Sequence, residues 1–255
     1  VKAALHVDVS HRDSDFTELL ARLQRRLLHV FRADEDQHSV VLLAASGTGA
    51  AEAALSTFVP AGKKLLVVHN GAFGERLQEI AAVHGIDSKP LAFPWGTPIV
   101  LADVEARLVQ DPELAAVAVV HHETSVGVLN PVRAIGELAA RHGRLFFVDC
   151  ISSLGGEDLD VVRDHIDVAV ACGNKCLHSV SGLSFVCVRD RVWKRVAGDK
   201  PRSLYLDLRR YHQHWESLGQ TPFTPAVAAA FALDVALSEL LEEGLESRFE
   251  HYGLL

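Results

Sequence analysis

The sequence has few basic residues for its size and lacks long apolar runs. It contains 25 Lys and Arg against 33 Asp and Glu, a formal net charge of −8. This balance does not suggest nucleic acid or a membrane surface as a partner, and an anionic ligand would need local cations. The apolar runs are interrupted well before the roughly 18 residues of a membrane span. We therefore expect a cytoplasmic protein with neither a nucleic-acid nor a membrane partner.

Cysteine is also scarce. The four cysteines are Cys150, Cys172, Cys176 and Cys187. They form no Cys-x-x-Cys pair, and three lie in apolar, strand-like runs or at their ends, which favours buried reduced thiols over a disulfide or a metal site. His121, His122 and Glu123 are consecutive, but adjacent strand residues point to opposite faces. We therefore expect no metal site.

Methionine is absent, and the chain begins at Val1 within an amphipathic segment. The stretch from Phe231 to Leu255 has the pattern of one long helix with no clear following element. We expect a truncated chain whose native start lies upstream of Val1. Its 255 residues are still enough to bury a sizeable core.

Helical and strand-like patterns alternate along the chain. Residues 16–31 have apolar residues at helical spacing, and the short apolar run SVVLLAAS follows. Further strands are predicted at KKLLVVHN, LAAVAVVHH, RLFFVDC, IDVAVAC and LSFVCVR, and further helices at GAAEAALSTFV, FGERLQEIAAVHG and VRAIGELAARHG. Apolar strands joined by helices predict a three-layer α/β/α fold around a mostly parallel sheet. Ligands of such sheets bind at the carboxyl ends of the strands.

Small residues follow two of the predicted strands. Ser46-Gly47-Thr48-Gly49 precedes a helix, and the N–H groups and dipole of a helix start favour a phosphate. An ordinary N-cap is the competing interpretation. Phe73 lies between small residues after another strand, where it either stacks on a flat ring or belongs to the core.

Two charged residues follow apolar strands where burial would be unfavourable without a partner. Asp149 ends RLFFVD, and Lys175 follows DVAVACGN. Asp149 could instead cap the next turn at Ser152 or Ser153, and Lys175 could extend to the surface. Taken together, a phosphate cup, a stacking ring, a buried acid and a buried amine are the parts of a pyridoxal phosphate site.

Seven stretches carry a family resemblance: SGTGAAEA, NGAFGERLQEIA, HHETSVGVLNP, VDCISSLGG, GNKCLHSVSGLSFV, PRSLYLDL and TPFTPAV. Through them the sequence resembles the class V aminotransferases, of fold type I among pyridoxal phosphate enzymes, and most closely the 2-aminoethylphosphonate:pyruvate aminotransferases. The resemblance covers nearly the whole chain. It implies a cofactor-binding large domain over residues 1–225 and, over residues 226–255, a helix leading to a small C-terminal domain that the chain lacks.

The resemblance also implies roles for individual residues. Lys175 would form the Schiff base, and Asp149 would pair with the pyridinium nitrogen. The other cofactor-binding residues it implies are Ser46, Gly47 and Thr48 at the phosphate, Asn174 beside it, Phe73 on the ring, Thr124 at the ring or its phenolic oxygen, and Ser152. Thr224, assisted by Thr221, would reach the phosphate of a partner in a homodimer with shared sites.

The implied reaction is transamination between an amine donor, 2-aminoethylphosphonate, and a 2-oxo acid, pyruvate. Arg12 and Arg76 are candidates to bind the anionic head of the amine, although either could be a surface arginine. Alanine–glyoxylate or serine–pyruvate chemistry and a non-catalytic scaffold are alternatives, and a cysteine desulfurase would have His in place of Asn174. Two features depart from the family: the small-domain arginine for the substrate carboxylate is missing, and the loop HSVSG lacks a proline.

Overall fold

Helices and strands alternate along residues 1–7 and 9–254, which the computed structural model describes. The helices are a 3₁₀ helix (Lys2–His6), α1 (Ser14–Val30), α2 (Gly47–Phe58), α3 (Ala72–Val83), α4 (Leu101–Gln110), α5 (Val132–Arg141), α6 (Asp190–Val196), α7 (Leu208–Leu218), α8 (Val227–Glu243) and α9 (Leu245–Gly253). The strands are β1 (His38–Leu43), β2 (Lys64–His69), β3 (Asp87–Ala92), β4 (Leu114–Val120), β5 (His122–Glu123), β6 (Val128–Leu129), β7 (Leu145–Asp149), β8 (Val168–Cys172) and β9 (Ser184–Arg189).

Within the described residues, seven strands form one sheet in the order β1-β9-β8-β7-β4-β2-β3. Strand β2 pairs in parallel with β3 and β4, and β7 pairs in parallel with β4 and β8. Strand β9 runs antiparallel to both of its neighbours, and β5 and β6 form a separate hairpin. The predicted mostly parallel sheet is confirmed.

Helices cover both faces of this sheet because successive strand residues point to opposite sides. On β1, Val40 and Leu42 belong to an apolar core shared with α1, α4, α5 and α8. Val41 and Leu43 belong to a second core shared with α2, α3, α6 and α7. The two cores give the expected three layers.

The C-terminal helices continue the first of these cores. Helix α8 packs beside α1, where Arg22 and Arg26 of α1 form ion pairs with Asp234 at 2.9 and 2.6 Å. Gly244, with a φ of +88°, separates α8 from α9, so the structure divides the predicted long helix into two. Leu255, the last residue of that prediction, lies outside the described residues, and a domain boundary after residue 225 stays a prediction.

Strand β3 and helices α4 and α7 have no counterpart in the sequence prediction. Strand β3 is an edge strand with one buried residue and contains Pro90, so it lacks the apolar run of a buried strand. Helix α7 buries only Leu208 and Tyr211.

No helix in the described part of the chain has both the length and the apolar character that crossing a membrane demands.

Candidate active site

The carboxyl ends of the parallel strands border a cavity of about 380 Å³. The predicted site residues that line it are Ser46, Gly47, Thr48, Phe73, Arg76, Asp149, Ser152, Asn174 and Lys175. They follow β1, β2, β7 and β8, so they come from two distant parts of the chain. The structure therefore brings most of the predicted site together where open α/β sheets bind ligands.

The start of α2 forms one wall of the cavity. Ser46 is the N-cap of this helix, and its Oγ accepts a hydrogen bond from the Gly49 N–H at 3.2 Å. A Cβ added to Gly47 would lie 2.7 Å from Cδ1 of Ile151, so a larger residue does not fit without displacing that side chain. The N-cap interpretation is thus correct for Ser46. The positive end of the helix dipole nevertheless lies at the cavity and favours an anion there.

Asp149 ends β7 and faces the cavity. Its Oδ1 accepts a hydrogen bond from the Ile151 N–H at 2.9 Å. Burial of the carboxyl raises the pKa of Asp149 from 3.8 to about 6; Glu123 raises it further, while the Ile151 N–H, Arg76 and Lys175 lower it. The protein cations near Asp149 therefore compensate only part of the cost of its charge.

Lys175 lies on the cavity wall in the loop after β8. Its side chain is exposed, which corrects the expectation of a buried amine. The loop of small residues around Lys175 does lie against the protein, as Gly173 is buried, but the cavity opens to solvent and the lysine faces it. A cation there needs no ion-pair partner, and its amine is accessible to a ligand.

Phe73 and Arg76 extend from the first turns of α3 into the cavity. The Arg76 guanidinium carbon lies 4.9 Å from the centre of the Phe73 ring, a cation–π distance. Arg76 Nη1 also lies 3.5 Å from Oγ1 of Thr48. Arg76 is therefore the cation that links the aromatic wall to the start of α2.

Glu123 is a site residue that the sequence analysis missed. It is fully buried, and its carboxylate accepts hydrogen bonds from the N–H groups of Phe73 at 3.3 Å and Gly74 at 2.9 Å. The Ser125 hydroxyl donates to it at 2.5 Å. Glu123 thus caps α3 and fixes the backbone of the aromatic residue. A cap supplied from 50 residues further along the chain leaves no local sequence pattern.

The two histidines before Glu123 point in different directions. His121 is buried, with Nδ1 2.9 Å from Oγ of Ser153, and burial lowers the pKa of His121 to about 4. His122 lines the cavity. The two side chains are therefore separated, as expected, although His121 lies between β4 and β5 and not within a strand. Over residues 1–7 and 9–254, no three His, Cys, Asp or Glu side chains cluster in a way that could hold a metal ion.

Four predicted residues do not line this cavity. They are Arg12, Thr124, Thr221 and Thr224. Arg12 is exposed in the turn before α1, and Thr124 and Thr224 are exposed as well. The Thr221 hydroxyl donates to the Phe223 carbonyl at 2.8 Å. The roles of Thr221 and Thr224 across a dimer interface involve a second chain and stay predictions, as do those of Thr124 at the cofactor ring and Arg12 at the amine.

Known proteins share the sequence and fold of this chain. The model of the family "Aminotransferase class-V" matches residues 1–251. The chain is 40% identical over 253 residues to the 2-aminoethylphosphonate–pyruvate transaminase of Pseudomonas aeruginosa, covering 99% of this chain and 68% of that protein. The crystal structure of alanine–glyoxylate aminotransferase from Nostoc sp. matches with a TM-score of 0.91 and 29% identity, over 98% of this chain and 66% of that chain.

A second solved structure, pyridoxamine–pyruvate aminotransferase from Mesorhizobium loti, matches with a TM-score of 0.91 and 26% identity. It covers 98% of this chain and 64% of that chain. The chain thus spans about two thirds of the length of the relatives it matches.

Proposed function

Because the chain belongs to the class V aminotransferase family, we propose that it transfers the amino group of 2-aminoethylphosphonate to pyruvate, with pyridoxal phosphate as cofactor. The products would be phosphonoacetaldehyde and alanine. The observation that carries the proposal is the single cavity that joins Lys175, Asp149 and the start of α2. The name of the Pseudomonas aeruginosa relative supports this pair of substrates.

The residues of the cavity fit pyridoxal phosphate. The raised pKa of Asp149 marks a carboxyl that lacks a full counter-charge, and a protonated pyridine nitrogen is a suitable cation. The start of α2, with Ser46, Gly47 and Thr48 on the cavity wall, suits a phosphate. Phe73 offers an aromatic face for the ring. An acid, an anion site and an amine therefore lie where the cofactor needs them.

Bound in this cavity, the cofactor would supply an aldehyde carbon that accepts the amino group and a ring that accepts the electron pair left on the substrate carbon. Lys175 Nζ would hold the cofactor covalently and, once released, take the proton from the carbon that bears the amino group. The carboxylate of Asp149 would keep the ring nitrogen protonated. Asn174, next to Lys175 on the cavity wall, would lie beside the phosphate.

Arg76 is the cation we propose for the anionic head of the amine. It lines the cavity, whereas Arg12 lies in the turn before α1. We expect Arg76→Met to raise the KM for 2-aminoethylphosphonate about tenfold or more, the usual cost of losing a hydrogen bond to a charged group. Arg12→Met serves as the matched control. An equal rise in both variants would contradict this role of Arg76.

Transamination of the alanine–glyoxylate type is the alternative. The structural match to the Nostoc alanine–glyoxylate aminotransferase favours it, and serine–pyruvate chemistry belongs to the same group of reactions. Amine-donor profiling separates these candidates. Activity with alanine and glyoxylate, but none with 2-aminoethylphosphonate, would exclude the first proposal and support the second.

We also propose that the active protein is a homodimer in the cytoplasm. Thr221 and Thr224 lie outside this chain's own cavity, so any contact with a cofactor phosphate would be with a partner's. Nearby apolar surface supports an interface: Leu204 is 66% exposed, and the rings of Tyr205 and Phe223 lie 5.1 Å apart. Sedimentation velocity tests the dimer, and a monomer at working concentrations would contradict it.

Chemical trapping tests the cofactor chemistry directly. Protein mixed with pyridoxal phosphate is reduced with borohydride, digested and analysed by mass spectrometry. We expect the adduct on Lys175, no adduct at that position in Lys175→Ala, and an unchanged Lys175 adduct in Lys63→Ala, which alters an exposed lysine. Absence of an adduct from Lys175 in the unaltered chain would refute the proposal.

A further inference from the structure

Helix α9 lies against the loop that carries Lys175. We call residues 173–179 the Lys175 loop; it contains a turn in which the His178 N–H donates to the Lys175 carbonyl at 2.9 Å. From α9, Nη1 of Arg248 donates to the Cys176 carbonyl at 3.0 Å. Cys176 is the residue after Lys175, so this hydrogen bond fixes the Cys176–Leu177 peptide, one peptide beyond the lysine.

Arg248 is itself held on α9 by a second partner. Its side chain is only 7% exposed, and an arginine is rarely buried without a partner. Nε of Arg248 donates to Oε2 of Glu243 at 2.7 Å, and Nη2 donates to the same oxygen. Glu243 ends α8, so the pair spans the break at Gly244. This charge-assisted pair sets the direction in which Arg248 points.

His178 adds a further link between the loop and α9. Its Nε2 lies 2.8 Å from the hydroxyl of Tyr252 on α9, and its Nδ1 lies 3.4 Å from Nη1 of Arg248. His178 has a φ of +59°, a left-handed conformation that is unfavourable for a residue with a side chain. The contacts with α9 hold this residue in the conformation that closes the turn after Lys175.

Two glycines also pack closely against the Lys175 loop. A Cβ added to Gly155 would lie 2.8 Å from Cδ2 of Leu177, and one added to Gly156 would lie 2.8 Å from Sγ of Cys176. The loop therefore packs against backbone at these glycines and has no room to move toward them. Within residues 1–7 and 9–254, side-chain hydrogen bonds join the loop to α9 and, from the Cys176 thiol, to the Ser152 carbonyl at 3.4 Å.

We propose that Arg248 is a positioning residue that holds Lys175 in place for proton transfer, a role that rests on the proposed transamination. Proton transfer needs its donor and acceptor in fixed geometry, and a displacement of about 1 Å can lower a rate about 100-fold. Arg248 restrains the Cys176–Leu177 peptide, one peptide beyond Lys175, and does not line the cavity. It thereby makes the placement of the amine depend on the docking of α9.

The test compares two substitutions at Arg248 with a matched substitution at Arg32. Arg32 also tethers α9, since Nη2 lies 2.5 Å from Glu246 and the guanidinium carbon lies 5.3 Å from the centre of the Phe249 ring. Its side-chain hydrogen bonds within the described residues go to Asp158 and Glu246, away from the Lys175 loop. Arg248→Met removes the donors to the loop, and Arg248→Lys keeps one cationic donor. Arg32→Lys alters the tether of α9 and the pair with Asp158, but no contact with the Lys175 loop.

Three measurements on the full chain with pyridoxal phosphate read out the effect. The first is kcat and KM for the amine. The second is the pH at which the absorbance change of the cofactor linked to Lys175 is half complete. The third is hydrogen exchange of residues 173–179. We expect Arg248→Met to lower kcat about 10- to 100-fold with KM within about threefold, to shift the midpoint and to speed up exchange. Arg248→Lys should recover part of each change, and Arg32→Lys should match the unaltered chain.

Two results would overturn the proposal: unaltered kcat and exchange in Arg248→Met, or an equal loss in Arg32→Lys, which would implicate docking of α9 as a whole. If circular dichroism shows that Arg248→Met does not fold, Arg248→Lys and Tyr252→Phe decide by the same measurements. A chain that forms no adduct at Lys175 contradicts the proposed function instead. Hydrogen exchange then still decides whether Arg248 holds the loop.

Discussion

Replacing Asp149 with asparagine should stabilise the chain in the absence of cofactor. The aspartate carboxyl has a pKa of about 6 in the folded chain against 3.8 ordinarily, because burial disfavours its charged form. Asparagine has nearly the same shape, and its side-chain oxygen can still accept the Ile151 N–H that now donates to Oδ1 of Asp149. The substitution removes the charge and keeps the hydrogen bond.

The magnitude follows from the two pKa values. One pKa unit corresponds to about 1.4 kcal/mol, so at pH 7.5 the ionised Asp149 carboxylate costs the folded chain about 3 kcal/mol. The folded state binds the proton more tightly than the unfolded state, and its stability therefore falls as the pH rises from about 4 to about 6 and then levels off. The advantage of Asp149→Asn should be about 3 kcal/mol at pH 7.5 and roughly half of that at pH 5.

Urea denaturation at both pH values measures this difference, and thermal melts should show a rise of roughly 6 to 12 °C at pH 7.5. Asp36→Asn, which removes an exposed carboxylate before β1, is the control and should change stability by less than about 0.5 kcal/mol. The same Asp149→Asn protein should lose transaminase activity. A variant that is no more stable than the unaltered chain at pH 7.5, or whose advantage is the same at both pH values, would refute the reasoning.

Three further substitutions test the parts that surround the cavity. Glu123→Gln places an amide against N–H donors and should cost about 1–3 kcal/mol in urea denaturation; an unchanged free energy of unfolding would contradict the capping role. Gly74→Ala would put a Cβ 2.4 Å from Cβ of His69 and should cost about 1–3 kcal/mol, whereas Gly198→Ala, which faces open space, should cost less than about 0.5 kcal/mol. Phe73→Ala should raise the Kd for pyridoxal phosphate about 2- to 10-fold through loss of stacking, and Phe73→Tyr should restore it; equal binding by both variants would argue against stacking.

The fold was predictable where burial leaves a periodic pattern. Strands β4, β7, β8 and β9 are apolar at nearly every position because helices cover both faces of the sheet. Strand β3 lies at the edge, with one buried side chain, Leu91, so its sequence has no signal of this kind. Gly244 does carry a signal for the end of α8, but the apolar residues on both sides of it favour one continuous helix.

The candidate site was predictable to the extent that its residues follow strands. Asp149 and Lys175 each follow an apolar strand, and the parallel order of β7 and β8 places them at the same edge of the sheet. Their environments were harder to predict, because exposure depends on the shape of the cavity and not on the neighbouring residues in the chain. Lys175 is exposed for this reason. Glu123 and Arg248 act through contacts that are distant in sequence.

The charges around Asp149 connect the stability of the chain with its proposed chemistry. Glu123 raises the pKa of Asp149 while Arg76 and Lys175 lower it, so the carboxylate that caps α3 opposes the ionisation of the carboxylate that would bind the cofactor. Glu123 also fixes the backbone of Phe73. Removing Glu123 would therefore release the aromatic residue that lines the cavity. A cation brought by the ligand resolves the conflict, because it stabilises the Asp149 carboxylate without disturbing α3. Pyridoxal phosphate should therefore bind more weakly to Asp149→Asn than to the unaltered chain, although the variant itself is the more stable protein.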